Sequence, residues 1–139
     1  MDSMKKVLTV GVFDLLHWGH FELFRKTREL VGNDGEVIVA IQKDEYVTRY
    51  KPNAKLMYDW DVRAKMIGAL RYVDKVISYT DIDTSIKDID FDLWAIGGDQ
   101  NHDGFKRAIK WCVDNGKEVV RLNRTDGISS SQLRAEGLK

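Results

Sequence analysis

The chain has 139 residues, with 22 Lys and Arg against 22 Asp and Glu, so its formal net charge at pH 7 is zero. That length makes one domain spanning residues 1–139, able to bury a core without staples, and the neutral balance gives no global field for nucleic acid or a membrane surface. A single cysteine, Cys112, excludes an internal disulfide and a cysteine-only zinc site, and the apolar runs are too short to span a bilayer or to form a secretion signal, so a cytoplasmic chain is expected.

The first element is an apolar, β-branched run from Val7 to Phe13, which reads as a buried strand. The period then changes: Leu16, Phe21, Leu23, Phe24 and Leu30 fit one broad helical face, predicting a helix from about Trp18 to Val31 that Gly32-Asn-Asp-Gly35 stops. Between strand and helix lies Asp14-Leu-Leu-His-Trp-Gly-His20. Such a junction is where a parallel α/β sheet presents its site. Histidines three apart place both imidazoles on one side of the first turn. Gly19 between them leaves the backbone bare, and unpaired N–H groups there attract an anion. These features suit a phosphate passing through a more highly charged transition state; a pair of surface histidines on an ordinary helix is the plain alternative.

Glu36 to Ile41 is a second buried strand, completing a right-handed βαβ unit. Residues 42–58 read as the least regular part, with Arg49, Lys51 and Lys55 around the only proline, Pro52. This is either a basic loop suited to closing over a polyphosphate or a solvated surface loop. Residues 59–70 predict a helix capped by Asp59, with Val62, Met66, Ile67 and Leu70 as its apolar face. Arg63 sits near the positive end of that helix, where a cation gains nothing from the dipole, so an anionic partner is expected: a ligand or an ion pair.

Arg71 to Ile77 turns into a third strand. Thr80 to Asp90 predicts a short helix with Thr84 as cap and Ile86 and Ile89 as anchors. Phe91 to Ile96 is a fourth strand, ending in Gly97-Gly98-Asp99, where a ligand can lie close to the backbone. His102 reads as an exposed loop histidine. Gly104 to Asn115 is amphipathic, with Phe105, Ala108, Ile109, Cys112 and Val113 on one face, so Cys112 belongs to the core. Glu118 to Leu122 is the fifth strand. Arg124-Thr-Asp-Gly-Ile-Ser-Ser-Ser131 then offers a guanidinium fork with hydroxyls and N–H groups at a helix start, either a second anion site or a plain serine cap. Five strands alternating with helices give an α/β fold with one parallel sheet covered on both faces.

Gly11-Val-Phe-Asp14 followed by His17-Trp-Gly-His20 resembles the HxGH nucleotidyltransferase superfamily. Arg124-Thr-Asp-Gly-Ile-Ser resembles the Arg-Thr-x-Gly-Ile-Ser signature of its cytidylyltransferase family, departing from the usual Thr-Thr ending with Ser130 and Ser131, which keep the hydroxyl. The resemblance runs from Val7 to about Arg134. It implies a Rossmann-like, doubly wound five-stranded sheet of order 3-2-1-4-5, with the HxGH and Gly-Gly-Asp segments meeting between strands one and four. It implies transfer of CMP from CTP to a small phosphorylated alcohol, glycerol 3-phosphate first, for teichoic acid or capsule precursors. Adenylyl transfer on the same scaffold (FAD synthetase-like or heptose-phosphate-like) and a non-catalytic nucleotide-binding module are the alternatives.

By the same resemblance His17 and His20 serve the α-phosphate, and Arg124, Ser129 and Ser130 the β- and γ-phosphates. Val12, Phe13, Asp14, Gly19, Arg63, Asp99, Thr125, Gly127 and Ile128 line the nucleotide site. Either Lys51 or Lys55 reaches the phosphates, and Arg71 approaches the acceptor. Mg²⁺ is expected with CTP, carried by phosphates and water. A homodimer is implied, with Trp18 and Trp60 as interface candidates.

Overall fold

In the computed structural model the described residues are 5–53, 55–97 and 102–122. The β-branched runs form β1 (Lys6–Gly11) and β2 (Glu36–Gln42), each buried along nearly its whole length. With β3 (Lys75–Tyr79), β4 (Leu93–Gly97) and β5 (Glu118–Leu122) they make one parallel sheet of order β3-β2-β1-β4-β5. This is the expected Rossmann-like α/β arrangement.

Side-chain alternation splits the core in two. Leu8, Val10, Ile38, Ala40, Trp94 and Ile96 face one layer, covered by α5 (Asp103–Asp114) through Phe105, Ala108 and Cys112 and by α4 (Ile82–Ser85) with its following 3₁₀ turn. Val7, Val37, Val39, Ile41 and Ala95 face the other, covered by α1 (Trp18–Val31) through Phe24 and by α3 (Trp60–Gly68) through Ile67. Cys112 is wholly buried, and burial pushes its thiol up to about 11, which keeps it an inert core residue.

The helix α1 has the bounds its periodicity predicts, and Gly32 at φ 72° ends it in a conformation only glycine takes without strain. Several expectations are corrected, among them Val113, read on the apolar face of α5 but 65% exposed. A helix, α2 (Asp44–Tyr50), occupies part of the stretch read as irregular. Asp44 and Glu45 favour its first turn, but Val47 is its one buried residue, too little apolar content to leave a period. The inward face of α3 carries Arg63 and Ile67, while Val62 and Met66 are 38% and 37% exposed, so the apolar face read from sequence is rotated. The short helix after β3 begins after Asp81, leaving Thr84 inside it rather than at its cap.

The sheet opens where the site is expected. Pairing of β1 with β2 runs to Gly11 and Ile41, but pairing of β1 with β4 stops at Leu8 and Trp94 although β4 continues to Gly97. The two strands part at their carboxyl ends, at the point where strand order reverses, which is the general ligand crevice of open α/β sheets.

Candidate active site

The strand β1 ends at Gly11, two residues before the predicted end, because Phe13 adopts φ 52°, a left-handed conformation rare for a bulky side chain. Its ring folds back over Gly11, where a Cβ would lie 2.7 Å from a ring carbon, so only glycine fits there. The same ring packs on Phe24 at 5.2 Å and meets His20 edge-on at 5.3 Å. Next in the chain, Asp14 is 3% exposed. Its Oδ2 accepts the Met57 N–H at 2.8 Å and its Oδ1 the Tyr58 N–H at 3.0 Å.

His17 is the N-cap of α1, and its Nδ1 accepts the Gly19 N–H at 3.0 Å. An imidazole that accepts at Nδ1 carries its proton on Nε2, so His17 offers a donor from that nitrogen. The His20 ring stacks on it, centroids 3.8 Å apart and planes 22° apart. Burial first, and then the neighbouring His17, lower the His20 pKa to about 3, against a weaker contact with the Leu15 carbonyl that raises it. His20 is therefore neutral at pH 7. Neutral imidazoles can donate to an anion without two positive charges being held side by side. His17 also lines a shallow open depression of about 260 Å³ with Leu16, Trp18, Phe21 and Leu70. Trp18, 55% exposed, stacks on Phe21 there at 5.3 Å.

Arg63 has the anionic partner its position calls for, and that partner belongs to the same chain. Its side chain is wholly buried, Nη2 donates to Asp44 of α2, and Nη1 donates to the Val12 carbonyl at 2.8 Å. Asp44 also accepts the Trp60 N–H at 3.4 Å. Sequence reasoning missed Asp44, and the surplus cation at the start of α3 was its only signal.

Lys51 and Lys55 are both exposed. The Lys51 N–H closes the end of α2 on the Val47 carbonyl at 2.9 Å, and its charge adds to burial in lowering the His102 pKa. Lys55 lies two residues before Met57, within the segment that Asp14 holds. Arg71 is exposed in the turn after Leu70. His102 is exposed as expected but caps α5, its Nδ1 accepting the Gly104 N–H at 3.1 Å, the same device as His17 and Gly19. The Trp60 indole donates to the Ile41 carbonyl at 2.9 Å and packs against the core, so its interior contacts account for it without an interface. Asp99, Arg124, Thr125, Gly127, Ile128, Ser129 and Ser130 lie outside the described residues. Among the described residues no group of three His, Cys, Asp or Glu could hold a metal ion, and no helix is long and apolar enough to cross a membrane.

A parallel sheet opened beside a stacked histidine pair at a helix start defines an α/β protein with an anion-attracting ligand crevice. The family model described as Cytidylyltransferase-like matches residues 8–136. A glycerol-3-phosphate cytidylyltransferase of Staphylococcus aureus (strain NCTC 8325 / PS 47) is 35% identical over 136 residues, covering 96% of this chain and 95% of that protein. An FAD synthase of Korarchaeum cryptofilum (strain OPF8) is 28% identical, covering 96% and 91%. The crystal structure of a lipopolysaccharide core biosynthesis protein from Thermoplasma volcanium GSS1 superposes with a TM-score of 0.74 at 26% identity, covering 89% of this chain and 100% of that one. The chain belongs to the cytidylyltransferase-like family and is a nucleotidyltransferase.

Proposed function

We propose that the chain transfers CMP from CTP to glycerol 3-phosphate. An oxygen of the acceptor phosphate attacks the α-phosphorus, the bond from that phosphorus to the bridging oxygen breaks, and pyrophosphate leaves with the electron pair. Attacker and leaving group are anions already, so the reaction needs neither a strong base nor a covalent nucleophile, only positioning and charge stabilisation. The observation that carries this reading is the stacked pair His17 and His20 at the open end of β1. They donate to the α-phosphate as its charge grows. Arg124, Ser129 and Ser130 hold the β- and γ-phosphates, and Lys55 approaches them from the loop. Val12, Phe13, Asp14, Gly19, Asp99, Thr125, Gly127 and Ile128 shape the nucleotide site. Arg63 acts from beneath it through Val12, and Arg71 faces the acceptor. Mg²⁺ enters with CTP as part of the substrate, carried by phosphates and water.

The name of the Staphylococcus aureus relative supports CTP and glycerol 3-phosphate; the FAD synthase relative favours adenylyl transfer as the second reading. A matrix of nucleoside triphosphates against phosphorylated alcohols, with Mg²⁺, separates them by pyrophosphate release and the mass of the product. With glycerol 3-phosphate, CTP is expected to exceed UTP and ATP in kcat/KM by about 10²-fold or more, because a site built on cytosine's polar edge leaves groups unpaired with the wrong base. ATP as the better donor overturns the cytidylyl assignment. Absence of pyrophosphate with every pair favours the non-catalytic module.

A further inference from the structure

Asp14 stands three residues before His17 with its carboxylate 3% exposed, and both oxygens accept main-chain N–H groups from a segment 43 and 44 residues further on. Charge-assisted bonds of this kind are roughly twice as strong as neutral ones, and a buried carboxylate deprived of them is left poorly solvated. Two consecutive N–H groups held by one carboxylate fix both the place and the direction of the backbone at Met57 and Tyr58. The residue before Asp14 fixes the other end. Phe13, at φ 52°, has its ring against His20, so one short joint touches a site histidine on one side and the loop on the other. A second contact holds the same stretch, from the Arg63 Nη1 to the Val12 carbonyl. Lys55 is two residues from the held pair; Lys51 is six away and is fixed instead by the end of α2.

We infer that Asp14 is a positioning residue that binds the loop rather than the nucleotide, and through it sets Lys55 against His17 and His20. The inference rests on the reading above in which Lys55 serves a nucleoside triphosphate.

The test combines proteolysis with a kinetic cycle. Trypsin does not cut before proline, so the Lys51–Pro52 bond resists it and the bond after Lys55 reports the loop. In Asp14→Asn, cleavage after Lys55 is expected to rise by about tenfold or more, as local opening becomes easier, while cleavage after Lys110 in α5 stays unchanged. The same variant should lower kcat/KM for CTP by about tenfold or more, and on a Lys55→Ala background it should add less than about a twofold loss, because both substitutions remove one interaction. Tyr58→Pro deletes one N–H donor from the loop side and should reproduce both effects, which keeps the tether testable if Asp14→Asn folds poorly. Cleavage after Lys55 at the wild-type rate in the folded variants overturns the tether. Losses that multiply in the double variant overturn it too, placing Asp14 on the substrate. If the wild-type chain releases pyrophosphate from no nucleoside triphosphate, the functional reading has failed, and the cleavage rates still decide the tether.

Discussion

His17 does two things at once. It caps α1 by accepting the Gly19 N–H, and that bond leaves its other nitrogen as the donor. The two roles separate by substitution. His17→Ala removes both, and is expected to lower kcat by roughly 10²-fold or more, the scale of a lost transition-state donor. It should also destabilise α1 by about 1 kcal/mol, the usual worth of an N-cap. His17→Asn keeps a capping oxygen, so stability should stay near wild type while kcat falls as far as in His17→Ala; wild-type kcat in either variant removes His17 from the chemistry. His20 makes a pH prediction. Folding lowers its pKa from 6.5 to about 3. Between those values the unfolded chain takes up a proton that the folded chain refuses, so stability falls as pH drops through that window. From pH 7 to pH 5 this one group accounts for about 2 kcal/mol. Denaturant unfolding at the two values should show the loss, and His20→Gln should reduce the difference by that amount. An unchanged difference in His20→Gln would place the histidine in solvent.

At the scale of elements, the lesson lies in α3. Its cap was legible, since Asp59 accepts the Val62 N–H at 3.0 Å as a helix-starting aspartate should. Its inward face was not, because hydrophobic periodicity counts Val62 and Met66 as core and has no means of scoring a buried arginine. The electrostatic misfit of Arg63 was the better guide, for it called for an anion that proved to be Asp44. That partner lies on α2, a helix whose seven residues are too polar to leave a period in the sequence. The pair makes a prediction. Asp44→Ala leaves a wholly buried guanidinium without its counter-charge, and is expected to lower stability by roughly 3 kcal/mol, the lower end for a broken buried pair because Asp44 itself is 40% exposed. Arg63→Met combined with Asp44→Ala should be less destabilised than the sum of the two changes. Additive losses in denaturant unfolding would show that the two side chains act independently.

For the molecule as a whole, the parallel α/β architecture was readable because strands and helices alternate along the chain, whereas the strand order, and with it the place of the crevice, came from the resemblance to the nucleotidyltransferase superfamily. What was not readable is where long-range contacts decide, as in the hold of Asp14 on residues 57 and 58 or the cap that His102 forms. Assembly belongs to this scale as well. Val62 and Met66 keep substantial apolar area exposed on α3, and enrichment of methionine is a mark of interfaces. We therefore expect a homodimer, with a light-scattering mass well above the 16.0 kDa of one chain at micromolar concentration. A mass near that of one chain would leave these residues as plain surface.

The tryptophans give the chain an optical property. Trp94 is wholly buried, whereas Trp18 is 55% exposed on the residue next to His17, its indole lying over Phe21. Emission from the first is shielded from a small aqueous quencher such as iodide, and emission from the second is open to it. A nucleotide settling beside His17 should shelter Trp18, so the quenchable fraction of the wild-type fluorescence should fall with a midpoint equal to the Kd, and Trp18→Phe should abolish the change. Binding at the histidines is then measurable without labels and without turnover, under conditions where no product forms.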